Sequence, residues 1–258
     1  MTTMLRLDGH AGPHGADLLL RDDPALWSGL GVFETLRTYG RVPFRLDTHL
    51  ARLRESARFC AIPWHDQVGE ELRGLAAQMP GESRLNVLLT AGGHRIVRAE
   101  PLDLARAGAP VRVATRAWSP EPWLPGWVKH TSRAAWVQAA RLAGVDEVVW
   151  VAPEGVWTEA NRSNLVVVRD GVLCTPPEDG RILVGVTRAC MLEAAREAGV
   201  PVSEAPVTVG PCDEMYLCST LKELAPVVEV DGAPGPGAGP VGARVLAAFR
   251  AHAWGREG

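Results

Sequence analysis

Apolar and polar side chains alternate along VFETLRT (32–38), RLNVLLT (84–90) and VRVATRA (111–117), the period-two pattern of half-buried strands. Leu50, Leu53, Ala57 and Phe59 instead recur at helical spacing, which predicts an amphipathic helix over 49–59 with Asp47 as its N-cap. A second helix is expected over 66–79. Between the second and third strands, AGGHRIVRAEPLDLARAGAP (91–110) reads as a long loop of the kind that often carries function. Further along, 133–143 and 185–199 read as helices, the latter with Thr187 as N-cap and Gly199 as its stop. Strands are expected at 147–152, 164–168, 172–174, 215–218 and near 227–230, with turns at Pro153–Gly155 and Asp170–Gly171. GAPGPGAGP (232–240) reads as a flexible run before a last helix ending near Trp254. Strands and helices mix without a strict βαβ rhythm, so the expected fold class is α+β.

The proline-rich SPEPWLPGW (119–127) is the expected interdomain linker, which divides the chain into an N-terminal domain over 1–118 and a C-terminal domain over 128–258. A length of 258 residues can bury a sizeable core in one large or two smaller domains. A net charge of −3 gives no electrostatic reason to expect nucleic acid or a membrane surface as partner. The five scattered cysteines include no CxxC pair and point to free thiols in a reducing compartment. No signal-peptide core or membrane-spanning run is visible, so a soluble, cytoplasmic protein is expected. The seven histidines show no metal-ligand spacing, and no metal site is expected.

The basic residues are more informative. Of 27, only Lys129 and Lys222 are lysines. A guanidinium stays protonated, whereas an amine can lose its proton and attack a carbonyl, so a lysine kept in an arginine-rich chain is a candidate nucleophile. Both also fit as surface residues on count alone.

Four blocks appear in order: SGLGVFETLRTYGRVPFRLDTHLARLRESARF (28–59), TEANRSNLVVVRDGVLCTPP (158–177), GVTRACMLEAAREAGVPVSE (185–204) and DEMYLCSTLKELAPVVEVDG (213–232). Together they resemble the class IV, or fold-type IV, pyridoxal-phosphate aminotransferases. That family includes branched-chain aminotransferases, D-amino acid aminotransferases and aminodeoxychorismate lyases. The resemblance implies a small N-terminal α/β domain, a larger C-terminal pseudo-barrel domain and pyridoxal 5'-phosphate as cofactor. By the same resemblance Lys129 forms the cofactor aldimine and then serves as general acid–base, while Glu159 pairs with the pyridine nitrogen. Arg52, Val186, Thr187 and Thr220 contact the phosphate, for which a guanidinium fork and a helix N-terminus are suited. Arg52 also fits as a helix-face charge, and Thr187 as a simple cap. Phe33 matches a position beside the substrate and equally a strand core position. Lys222 has no counterpart and is expected to be solvated.

Transamination between an amino acid and a 2-oxo acid is the expected activity. The alternatives are a 4-amino-4-deoxychorismate lyase making 4-aminobenzoate and pyruvate, and a non-catalytic relative of the same fold. After the strand at 84–90, where several relatives carry T/S-R-G, this chain reads Thr90-Ala91-Gly92. Arg95 or Arg98 could take over the substrate carboxylate. Ala134 stands where branched-chain enzymes often have tyrosine, and Arg133 before it is more lyase-like. A small-molecule substrate and a homodimer complete the implied picture.

Overall fold

The computed structural model of the chain describes residues 3–11 and 22–255. These form two compact units. The first holds the described residues up to Asp103 together with Val128–Arg133; the second holds Leu104–Trp127 and the described residues from Ala134 onward.

In the first unit, β1 (Met4–Leu7), β2 (His10–Ala11), β3 (Gly31–Tyr39), β4 (Val42–Pro43), β5 (Ser83–Thr90) and β6 (Arg95–Pro101) form a six-stranded sheet. Its order is β2-β1-β6-β5-β3-β4. A short helix α1 (Pro24–Ser28) precedes β3, and α2 (Leu46–Phe59) and α3 (Val68–Gln78) pack on the sheet. The alternation read in the sequence is the cause: Val32, Leu36, Leu85, Val87, Leu89, Val97 and Ala99 are fully buried, with Leu53 and Ala57 of α2 and Leu72 and Leu75 of α3 above them. One expectation fails here. The segment 91–110 is not a long loop, because β6 runs through it and pairs with both β5 and β1. Its Val97 and Ala99 alternate inward, but arginines and glycines around them mask the pattern. The helix α2 also begins earlier than expected. Arg45 is its N-cap, with no side-chain cap bond, and Asp47 lies in the first turn, where a carboxylate complements the helix dipole.

The second unit contains β7 (Val111–Ala117), α4 (Ala134–Ala143), β8 (Glu147–Val151), β9 (Val156–Ala160), β10 (Asn164–Arg169), β11 (Val172–Thr175), α5 (Val186–Glu197), β12 (Val202–Glu204), β13 (Val207–Thr208), β14 (Glu214–Ser219), β15 (Glu223–Val230), β16 (Ala233–Pro234) and α6 (Pro240–Trp254). Its ten-stranded sheet includes the ring β10-β14-β15-β7-β8-β9, closed by a β9–β10 pairing of Glu159 with Asn164. A single apolar cluster draws on all six ring strands, including Val111, Val113, Val149, Trp157, Leu165, Val167, Met215, Leu217, Ala225 and Val227. On α4 a second cluster forms from Trp136, Trp150 and Trp118, with Trp118 and Trp136 edge to face at 5.0 Å.

The boundary therefore falls elsewhere than at 118. Strand β7 is parallel to both β8 and β15, so it belongs to the second unit. The proline-rich segment is likewise part of that unit, tied by Trp118 N–H to Val151 O (3.0 Å) and Gly126 N–H to Gly180 O (2.9 Å). Lys129 does not open the second unit; Val128–Arg133 is assigned to the first. Nor is 232–240 a loose run. Its β16 pairs with β15, and the Gly235 and Gly237 N–H groups donate to Val228 O and Val227 O. All five cysteines are free thiols. Among the described residues no helix is long and apolar enough to cross a membrane, and no cluster of side chains could hold a metal ion.

Candidate active site

The chemistry-bearing residues of the first unit gather around the start of β3. Segment 129–133 is pinned there: Phe33 N–H donates to Lys129 O (3.0 Å), Thr131 N–H to Gly31 O (2.8 Å) and Thr131 Oγ1 to Gly29 O (2.6 Å). Ser56 Oγ of α2 accepts the Lys129 N–H at 3.1 Å. The Lys129 amine lies 5.0 Å from the Phe33 ring centroid. Lys129 and Phe33 are thus neighbours.

Arg52 of α2 is held by Glu34. The guanidinium grips the carboxylate in a fork, Nε to Oε1 at 2.6 Å and Nη2 to Oε2 at 2.9 Å. His49 Nδ1 lies 2.9 Å from the same Oε2. Glu34 is fully buried, and its acid is held well below the usual carboxylate range although burial alone would raise it. The Arg52 charge, His49 and the Lys129 charge outweigh that desolvation. Burial pushes the His49 imidazole down, against the pull of Glu34. Glu34 escaped sequence reasoning, yet a signal was present: it sits on the same strand face as Val32 and Leu36, an inward acid that needs cations.

Arg95 is elsewhere in this unit. Its guanidinium forks onto Glu71 at 2.8 and 2.9 Å and lies 3.3 Å from His65 Nδ1. Arg98 contacts Asn86 and Glu100.

In the second unit, Glu159 stands at the ring closure, 5% exposed. Its Oε2 accepts Leu183 N–H at 3.0 Å and faces Asn164 Nδ2 at 3.4 Å; that amide also donates to Leu183 O at 2.9 Å. Asn164 carries the link to α5, because its Oδ1 fills the space a side chain on Gly185 would need. Gly185 is the N-cap of α5 and makes no side-chain cap bond, so Thr187 is the second helical residue rather than the cap. Val186 and Thr187 are buried at this helix start, and Thr187 Oγ1 lies 3.5 Å from Thr220 Oγ1. The structure brings Glu159, Val186, Thr187 and Thr220 onto neighbouring elements of one unit.

Lys222 is not solvated. Its amine pairs with Glu147, a fully buried carboxylate that also accepts from Ser163 Oγ (2.8 Å) and Arg162 N–H (2.9 Å). Glu147 ties the 161–163 turn, between Glu159 and Asn164, to the turn that carries Thr220. Nothing in the local pattern pairs residues 147 and 222, which lie far apart in sequence.

Residues 31–230 match the family model of the class IV amino-transferases. A probable branched-chain-amino-acid aminotransferase of Thermotoga maritima is 32% identical over 206 residues, 76% of each chain. A D-alanine aminotransferase of Listeria monocytogenes is 28% identical over 246 residues, 82% of each chain. Among solved structures, the PLP-bound form of a hypothetical aminotransferase from Mycobacterium tuberculosis superposes with a TM-score of 0.84 at 26% identity, covering 98% of this chain and 100% of that one. This chain belongs to the class IV aminotransferase family, and it is an enzyme of that type with the two-unit α+β fold of its neighbours. The family's cofactor is pyridoxal 5'-phosphate. Each unit by itself offers groups of the kinds that cofactor takes: the first an amine suited to an aldehyde, the second an oriented buried carboxylate suited to a ring nitrogen and an uncapped helix start with two hydroxyls suited to a phosphate.

Proposed function

We propose that this enzyme moves an amino group between an amino acid and a 2-oxo acid, with Lys129 as its catalytic amine. The observation that carries the reading is the fate of the two lysines. Lys222 is spent on the buried charge of Glu147, whereas the Lys129 amine is placed over Phe33 by a backbone pinned to β3 and α2. Pyridoxal phosphate, when bound, supplies the electron sink that lets the bonds at the substrate α-carbon ionise. Lys129 Nζ would hold the cofactor aldehyde and would carry the proton at the substrate α-carbon. Glu159 holds a proton at the ring nitrogen, with its Oε2 fixed by Leu183 N–H and Asn164. Arg52, the Val186 and Thr187 N–H groups, and the Thr187 and Thr220 hydroxyls bind the phosphate. Phe33 lines the substrate side of Lys129. Arg95, forked onto Glu71, has no part in this reading. The enzyme acts as a cytoplasmic homodimer on small molecules.

The test is borohydride reduction of the purified protein with peptide mapping, beside transfer assays with branched-chain amino acids or D-alanine and 2-oxoglutarate. The pyridoxyl mass is expected on Lys129, and Lys129→Ala is expected to abolish transfer. A label elsewhere refutes the role of Lys129. Release of aminobenzoate and pyruvate from aminodeoxychorismate, without transfer, refutes the reaction. Ultracentrifugation checks the dimer.

A further inference from the structure

The Phe33 ring carries two cations. Lys129 Nζ lies 5.0 Å from its centroid and the Arg133 guanidinium carbon 5.6 Å. One short segment delivers both: Arg133 N–H donates to Thr131 O (2.7 Å), and Thr131 is itself bonded to Gly29 and Gly31. The amine and the guanidinium carbon therefore both lie within 5.6 Å of the centre of one aromatic ring, on a segment bonded to the start of β3. Between them, His130 is pushed down to about 4, by burial first and then by the Arg133 and Lys129 charges. The nearby buried acid, Glu34, is engaged by Arg52 and His49.

Location separates Arg133 from the other arginines considered for a substrate carboxylate. Thr90-Ala91-Gly92 offers no guanidinium, Arg95 lies against Glu71 and His65, and Arg98 lies against Asn86 and Glu100. Arg133 alone of these shares the ring that Lys129 faces. An amino acid presents its amine one carbon from its carboxylate, so a guanidinium at this spot can hold the carboxylate while the amine meets the Lys129 side of Phe33. A fixed cation there also repels a simple ammonium that brings no carboxylate, which gives discrimination as well as binding.

We propose that Arg133 binds the carboxylate of the amino-acid and 2-oxo-acid substrates and so determines the specificity of the enzyme for carboxylate-bearing amines. This rests on the proposed transfer reaction. Kinetics of wild type, Arg133→Met and Arg133→Lys are compared with L-leucine, D-alanine and 2-oxoglutarate, and with 3-methylbutylamine and ethylamine, which carry the same side chains without the carboxylate. Loss of a charged hydrogen-bonding partner predicts a rise in KM for the acids on the order of ten- to a hundredfold in Arg133→Met. The expected change in kcat is smaller, the simple amines are expected to gain nothing from Arg133, and Arg133→Lys is expected to restore part of the loss. A second measurement needs no turnover: calorimetric binding of 4-methylpentanoate to the holoenzyme should weaken by a similar factor in Arg133→Met. Cofactor content equal to wild type shows that the variants are folded. Unchanged KM and unchanged 4-methylpentanoate binding in Arg133→Met overturn the proposal. A wild type that binds 4-methylpentanoate through Arg133 but transfers no amino group refutes the transfer reaction and leaves the carboxylate site standing.

Discussion

Replacing Glu34 by glutamine tests how the first unit holds Arg52. The carboxylate is fully buried and receives Arg52 Nε, Arg52 Nη2, His49 Nδ1 and the Thr35 N–H within 2.6–3.1 Å. Glutamine keeps the shape but removes the charge, and its amide cannot accept from both arms of the guanidinium. Removing one partner of a buried ion pair costs about 3–5 kcal/mol, because the other charge is left without compensation. A Coulomb energy of about 4 kcal/mol for charges ~4 Å apart at an effective dielectric of ~20 agrees with that range. The Arg52 side chain is 11% exposed, so some hydration remains and the lower end, about 3 kcal/mol, is expected. Urea unfolding at pH 7 reads the loss, and Glu34→Gln with Arg52→Met should recover much of it, since the double change removes the orphaned cation. The acid limb adds a signed check. Glu34 is held below its ordinary 4.5, so its contribution is complete above that pH and is lost as pH falls further. The gap between wild type and Glu34→Gln should therefore narrow below pH 4.5. A loss under about 1 kcal/mol at pH 7, or a double variant that merely adds the two single losses, would refute the pairing as the source of stability.

Three further outcomes follow from the same structure. Lys222→Met should cost about 2–3 kcal/mol in urea unfolding, because Glu147 stays buried with its charge met by Ser163 Oγ and the Arg162 N–H but by no cation of Lys222, and Glu147→Gln in the same chain should return part of it. Gly185→Ala should force Asn164 aside and cost about 1–3 kcal/mol, with weaker retention of pyridoxal phosphate in dialysis as the second readout. His130, held at about 4 against an ordinary 6.5, is protonated first in the unfolded chain, so stability should fall as pH drops from 6.5 towards 4, by up to about 3 kcal/mol. In His130→Gln that part of the slope should be missing.

Local periodicity carried most of the elements. The strand expected at 111–117 forms over Val111–Ala117, and helices expected at 133–143 and 185–199 form within a residue or two. What periodicity could not supply was partnership. The alternation in β7 is the same whether it pairs with β5 or β8, so the proline-rich segment beside it read as a boundary, and the strand went to the wrong unit. In β6 the inward Val97 and Ala99 are flanked by Arg95 and Arg98, whose charges made the stretch resemble a loop. For the site, the scarcity of lysine drew attention to Lys129 and Lys222, and only the resemblance to a family proposed the roles of Lys129 and Glu159. The residues that fix them were less visible. Asn164 acts through Oδ1 and Nδ2 on both Gly185 and Leu183, and Glu147 meets Lys222 only after the β8 and β15 strands are placed.

That division has a physical basis. A group in the role proposed for Arg52, Glu159 or Thr220 must present itself without spending the cofactor's binding energy on its own ordering. Arg52 is ordered by a carboxylate that takes two of its arms and by a histidine behind it. Glu159 is ordered by a backbone N–H and an amide that is itself fixed to the next strand connection. The turn carrying Thr220 is ordered through the Glu147 pair. In each case the supporting group is as buried as the group it holds, so its polar atoms had to be satisfied within the fold before any ligand arrived. Such a scaffold costs stability if one member is removed, which is why Glu34, Glu147 and Asn164 are expected to behave as folding residues and positioning residues at once. A conservative exchange at Glu34 that lowered stability yet left affinity for pyridoxal phosphate unchanged would show that the ordering of Arg52 serves the fold alone.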